Sequence, residues 1–455
     1  MSVSRSESDS NLTAERQRWQ ASALDAATRR ALASDARHFL HQSVSTPCLN
    51  VVTKAEGIWL EDAQGRRYMD FHGNNVHHIG YGHPRLKAAI TGQMDALPFA
   101  PRRFACEPAT ALAEKLGRIA PDNLSKVLFT TGGSDAVEVA VKLARIATGR
   151  FKILSFWDAF HGAGLGSGAL SGEMLFRSGP AASLMPGSTQ VAPFACYRCP
   201  YGHDVDEEGK PDLARCKMAC AGMVDYVLER EGDVAAVIAE PARAIPYLPP
   251  PGFWQQVRAA CNRHGALLIF DEIPTGLGKT GRMFACEHEN VTPDILVLGK
   301  ALGGGILPIA AVVARPDLDV AGDWALGHYT HEKNPVTTRA ALTTIEIIED
   351  EGLVANAARI GDLALAELAA MKARQSAIGD VRGRGLLLGI ELVEDRMTKA
   401  PARDLAERVL YRALDRGLSF KTTMGNVLTL TPPLVVTEAR MREALAIIEA
   451  AVAAG

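Results

Sequence analysis

Residues 265–305 read GALLIFDEIPTGLGKTGRMFACEHENVTPDILVLGKALGGG. Residues 266–270 form a short unbroken apolar run that ends in Asp271 and Glu272 and then a glycine-rich turn. A run of that length bounded by turn residues reads as a strand buried on both faces, with Asp271 at its C-terminal edge. Residues 295–298 repeat the pattern and deliver Gly299-Lys300. Gly303, Gly304 and Gly305 follow at once, where a backbone can turn tightly against a bound group. Ligands of open parallel sheets bind beyond the carboxyl ends of the strands. The stretch therefore sets one acid and one amine at the same edge of one sheet.

Taken singly, such an Asp is a structural ion-pair partner and such a Lys a solvated surface group. Together they suit a particular chemistry. Pyridoxal phosphate needs a lysine for its Schiff base and a carboxylate that keeps its pyridine nitrogen protonated. The surrounding pattern selects this reading. An apolar strand, Asp271-Glu272 and the turn Thr275-Gly276-x-Gly278-x-Thr280-Gly281 come first. Pro293-Asp294 and a strand ending in Gly299-Lys300-x-Leu302-Gly303-Gly304-Gly305 follow. This resembles the class III aminotransferase family over its whole length. The resemblance implies a fold-type I enzyme with pyridoxal 5'-phosphate as cofactor, Lys300 as its Schiff-base lysine and Asp271 as the partner of the ring nitrogen.

Outward from this stretch, short apolar runs recur at 126–130, 152–156, 234–239 and 309–314, each separated from the next by enough chain for a crossover helix. That alternation predicts an α/β domain with a mainly parallel sheet. Residues 57–71 alternate and turn at Gly65, a hairpin pattern, and residues 13–43 read as helical. After Pro335 the pattern turns helix-rich, with further apolar stretches at 383–393 and 426–431. The expected organisation is a disordered tail at 1–12 and an N-terminal segment of the small domain, helix and hairpin, at 13–85. A large cofactor-binding domain at 86–335 and a C-terminal small α+β domain at 336–455 complete it.

Further cofactor positions follow from the resemblance. Phe129-Thr130-Thr131-Gly132-Gly133-Ser134 joins a strand to a helix, and small residues there leave N–H groups open at a helix N-terminus, a phosphate cradle. It matches the family's phosphate turn, with Gly133 and Ser134 as contacts and Gly132 where many members have Ser. Phe160-His161-Gly162 resembles the family's aromatic-His-Gly, in which the aromatic ring stacks on the pyridine. Glu240 matches its supporting glutamate. Thr330 resembles the threonine that reaches the cofactor phosphate of a neighbouring subunit, which implies a homodimer with shared sites. Pro274 stands where many relatives carry a Gln that bonds the ring hydroxyl.

Two positions bear on substrate. Many amino-acid-processing members carry an Arg just before a Pro-Pro-Leu turn that clamps the substrate carboxylate. Thr429 stands there, ahead of Pro432-Pro433-Leu434, and the upstream Arg of ω-amine relatives is absent too, with Lys421 nearby. A transaminase must bind a keto acid, so this weakens that reading. Asn74-Asn75-Val76-x-His78-x-Gly80-x-x-His83-Pro84 resembles the family's lyase branch, which acts on small amines bearing phosphate or phosphonate, 1-hydroxy-2-aminoethylphosphonate among them. Arg102, Arg103, Arg243 and Lys421 are candidate anion partners. Asn75, His77 and His78 are candidates for the oxyanion or the leaving hydroxyl, against a structural turn role for each His. Two functions stay open: a β-eliminating ammonia-lyase giving phosphonoacetaldehyde, and an ω-amine aminotransferase.

Composition narrows the partners. The chain has 455 residues and a net charge of −3, which suggests neither nucleic acid nor an anionic membrane. The start lacks a secretory h-region and no long apolar run is present, so a cytoplasmic enzyme is expected. Of the eight cysteines, Cys196, Cys199, Cys216 and Cys220 cluster as C-x2-C and C-x3-C. That spacing is near a zinc pattern, and the alternative is a loop of reduced thiols beside the site entrance, with no metal.

Overall fold

The computed structural model describes residues 6–183, 185–206 and 209–455. It divides into two compact units, one running up to His83 and resuming at Ala355–Gly455, the other Pro84–Val354.

The first unit opens with two helices where the sequence suggests one. Ala14–Ala23 is capped by Thr13, and Ala26–His38 by Asp25, whose side chain accepts from the Thr28 N–H. Leu24 between them is extended, so the helix cannot run through. The expected disordered tail is corrected over residues 6–12. Ser6 and Asn11 are buried, Glu7 pairs with Arg16, and Asn11 Nδ2 donates to Pro47 O at 2.9 Å. The rest of that tail lies outside the described residues. Strands β1 (Val52–Glu56), β2 (Trp59–Asp62) and β3 (Arg67–Asp70) form an antiparallel meander. Its hairpin closes because Asp62 Oδ1 accepts both the Gln64 and Arg66 N–H groups and Gly65 takes φ +80°.

The second unit holds a seven-stranded sheet. Its strands are β4 (Lys126–Thr130), β5 (Lys152–Phe156), β6 (Ser188–Val191), β7 (Val234–Ala239), β8 (Leu267–Asp271), β9 (Ile295–Leu298) and β10 (Ala310–Ala314). They lie in the order β4-β10-β9-β8-β7-β5-β6, parallel except for β10, which runs antiparallel to β4 and β9. Every residue of β7 to β10 is buried, the physical reason these stretches are apolar throughout except for Asp271 at the end of β8. Val137, Ala140 and Ala144 of helix Gly133–Thr148 pack on Ile238, Ile269, Val297 and Val312. Strand β6 carries no apolar run (Ser-Thr-Gln-Val) and sits at the edge, so periodicity does not mark it.

Helix Pro335–Asp350 belongs to this unit, which moves the boundary beyond the expected 335/336. It packs against helices Pro84–Ala96 and Glu107–Ile119. Gly304 allows the close approach: a Cβ there would lie 2.3 Å from Leu86 Cδ2 and 2.6 Å from Thr344 Oγ1.

The first unit resumes with β11 (Ile378–Arg384), β12 (Leu387–Asp395), β13 (Ala400–Pro401), β14 (Leu418–Ser419), β15 (Lys421–Thr423) and β16 (Val427–Leu430). The stretch 383–393 is thus the turn and second arm of a hairpin. Strands β11-β12-β16-β15 form an antiparallel sheet, with β13 on β12. Strand β14 adds in parallel to β3, so both chain ends build one sheet.

Candidate active site

Three neighbouring strand ends of the second unit supply the chemistry. Ala239 pairs with Phe270 and Asp271 with Val297, so Glu240 after β7 and Asp271 at the end of β8 leave the sheet side by side. Lys300 follows β9 by two residues.

Asp271 is buried. Its Oδ2 lies 2.8 Å from His161 Nδ1, and its Oδ1 accepts the Ile273 N–H at 3.1 Å. A carboxylate accepts four hydrogen bonds, so this one keeps room for another donor. His161 is buried too, and its Nε2 has no hydrogen-bond partner among the described residues. The Ser171 hydroxyl accepts its backbone N–H at 2.9 Å.

Lys300 takes φ +45°, left-handed for a residue with a Cβ, and starts the short turn Lys300–Gly303. Such a backbone costs on the order of 1–3 kcal/mol and persists only where its surroundings over-determine it.

The anion cradle is built by three loops. Helix Gly133–Thr148 has Gly132 as N-cap and no side-chain cap bond, so its first N–H groups are open to an anion. Ser134 Oγ accepts the Ala163 N–H at 3.1 Å. A Cβ on Gly133 would lie 2.8 Å from Ile273 Cδ1, and one on Gly162 would lie 2.7 Å from both Ser134 Oγ and Ser167 Oγ. Glu138, which no motif marks, holds this assembly by accepting the Ser167 N–H at 2.7 Å. Phe160 presents a 37 % exposed residue beside the site, braced by Phe176 at 4.7 Å. Glu240 Oε1 faces its backbone N–H at 3.4 Å, while Oε2 accepts the Ala244 N–H at 2.7 Å. An open helix terminus, a buried carboxylate with spare acceptor capacity and a strained lysine fit pyridoxal phosphate.

The other candidates have surroundings of their own. Thr330 is exposed in a turn before helix Pro335–Asp350. Arg102 is engaged with His328 and Glu332. In the first unit, His77 is a brace of its own turn. Its Nε2 bonds Asp70 O at 3.0 Å, its ring lies 5.1 Å from Tyr81, and a Cβ on Gly73 would meet it at 2.4 Å. Tyr81 in turn donates to Asp70 Oδ2 at 2.6 Å. His78 is buried, and its carbonyl accepts the Leu434 N–H. Asn75 is buried in a left-handed conformation, with Oδ1 unpartnered among the described residues. Lys421 is half-buried on β15. Thr429, at the clamp position, shares a 2.8 Å bond with Thr423.

Cys196, Cys199, Cys216 and Cys220 line one cavity. Burial pushes the Cys220 thiol up to about 11. Among the described residues no group of three or more His, Cys, Asp or Glu could hold a metal ion.

Sheet, acid, lysine and anion cradle together define a pyridoxal-phosphate enzyme of fold-type I. The class III aminotransferase model matches residues 41–452. The (R)-1-hydroxy-2-aminoethylphosphonate ammonia-lyase of Vibrio splendidus (strain 12B01) is 44 % identical over 99 % of this chain and 95 % of its own length. The leucine/methionine racemase of Thermococcus litoralis is 37 % identical over 90 % and 91 %. Among solved structures, a Bacillus anthracis aminotransferase superposes with a TM-score of 0.87 at 31 % identity, covering 95 % of this chain and 100 % of that one. An amine transaminase from an uncultivated Pseudomonas species, solved with PLP bound, gives 0.85 at 30 % identity, covering 92 % and 98 %. The chain belongs to the class III aminotransferase family, whose membership implies the pyridoxal phosphate cofactor.

Proposed function

We propose that the protein is a cytoplasmic, homodimeric ammonia-lyase acting on a small amine that carries a phosphonate or phosphate, such as 1-hydroxy-2-aminoethylphosphonate, and giving phosphonoacetaldehyde. The carrying observation is the 44 % identity to the ammonia-lyase of that name over nearly the whole chain. A Thr, engaged with Thr423, in place of the carboxylate-clamping Arg supports it.

Bound pyridoxal phosphate supplies an electron sink for the carbon next to the substrate nitrogen. We assign the proton at that carbon to Lys300 Nζ and the proton at the ring nitrogen to Asp271, whose carboxylate His161 orients. Gly133 and Ser134 would hold the phosphate, Phe160 would pack against the ring, Glu240 fastens the neighbouring loop, and Thr330 would serve the partner's site. The reaction balances without a redox partner. A proton leaves the amine-bearing carbon and hydroxide leaves the next carbon as water. The enamine so formed takes up one water and releases aldehyde and ammonia. Substrate roles for Asn75, His78 and Lys421 rest on the sequence resemblance, and for His77 the geometry favours bracing.

The second reading is an ω-amine aminotransferase, favoured by the solved transaminases of the same fold. Turnover without a keto acid separates the two. Ammonia and aldehyde should form continuously and in equal amounts from the hydroxyaminophosphonate alone. A stop after one turnover per site, relieved by pyruvate or 2-oxoglutarate, would establish the aminotransferase instead.

A further inference from the structure

The loop after β7 holds a buried charge with no counter-charge among the described residues. Arg243 is 2 % exposed, and its Nε and Nη1 have no hydrogen-bond partner among the described residues. Arg16, the other buried arginine among the described residues, has the ordinary solution, an ion pair with Glu7. Glu240, three residues before Arg243, would be the natural partner. Its two oxygens are turned instead to the N–H groups of Phe160 and Ala244. Tyr247 folds back over the guanidinium, its ring 5.8 Å away, and its carbonyl accepts the Arg243 N–H at 3.0 Å. Arg243 thus follows by three residues the sheet edge where Glu240 and Asp271 end adjacent strands.

An arginine stays ionised at any working pH, and a buried ion without a partner is strongly unfavourable unless a ligand completes it. The Nε and Nη edge of a guanidinium takes two oxygens of one oxyanion side by side. The cofactor's phosphate already has the open terminus of helix Gly133–Thr148. We propose that Arg243 is the receptor for the substrate's phosphonate or phosphate group and so the residue that sets specificity for phosphorus oxyanions at this site. The inference rests on the function proposed above.

The test is binding of methylphosphonate, with acetate as the comparison anion, to the cofactor-loaded wild type, Arg243→Gln and Arg243→Lys, read by calorimetry. Wild type should bind methylphosphonate more tightly than acetate. Arg243→Gln should weaken it by at least about thirtyfold, the usual cost of removing one member of a buried charge pair. Arg243→Lys, which keeps the charge but not the fork, should fall between and stands in should the Gln variant not fold. Cofactor affinity should be unchanged in both. Four results overturn the proposal: no wild-type binding at millimolar methylphosphonate, a preference for acetate, a methylphosphonate affinity that the variants leave within threefold, or a parallel loss of cofactor. In turnover, the variants should raise KM for the hydroxyaminophosphonate and leave kcat nearly alone. Calorimetry needs no turnover, so keto-acid dependence would remove the lyase reading while leaving the Arg243 result to stand or fall by itself.

Discussion

Lys300 takes a left-handed backbone at φ +45° directly after a fully buried strand, and the strain falls on the residue assigned the chemistry. Lys300→Ala meets the same backbone penalty, so its melting temperature should stay near wild type. Ammonia release should fall by at least about a hundredfold, the lower range for loss of a positioned base. A variant with near-normal release would remove Lys300 from its role. Its neighbour in the motif, Glu272, is fully buried. Burial raises its carboxyl from 4.5 to about 7, although the N–H groups of Ala285 and Cys286 favour the ionised form. The folded state therefore holds this proton more tightly than the unfolded chain does. The stability it contributes is complete below pH 4.5 and is lost as pH rises through about 7. Melting temperatures measured from pH 5 to 8 should fall more steeply for wild type than for Glu272→Gln. Parallel curves would show that Glu272 does not titrate in that window.

At the scale of elements, the site depends on loops that no single strand could place. The loop after β5 turns at Gly162 with φ +132° and touches Ser134 and Ser167 so closely that a methyl group has no room. Gly162→Ala should lower stability by about 1–3 kcal/mol through backbone strain and overpacking. It should also release cofactor faster, by pushing Ser134 off the cradle. Gly65→Ala is the control, since its φ is +80° and nothing lies within 4 Å of a Cβ there. Equal losses in the two variants, measured by melting and by cofactor dissociation, would leave only the backbone effect. The apolar strands were legible because burial on both faces demands unbroken apolar runs. Edge strand β6 was not, because Ser-Thr-Gln-Val carries neither alternation nor a run. The helix break at Leu24 was carried by Asp25, a cap residue inside a helical pattern.

For the whole molecule, the proposed sharing of sites between subunits rests on Thr330, exposed in its turn. Lys300→Ala and Thr330→Val proteins should each be weak alone. Mixed and allowed to exchange, they should recover about a quarter of wild-type activity, because half of random dimers hold one intact site of two. No recovery despite demonstrated exchange would place each site within one subunit. The parallel sheet, the acid and the lysine at its edge and the anion turn are legible in the amino-acid sequence. Each is a local pattern: an apolar run too short for a helix, a turn that needs glycine, a helix start without a capping side chain. Which groups meet is set by the folding of distant segments together. His161 reaches Asp271 from 110 positions away, β14 completes a sheet begun by β3, and Arg243 Nε and Nη1 are left without a partner among the described residues. Burial and pairing between distant segments depend on how the chain closes on itself, and no window of neighbouring residues contains that information.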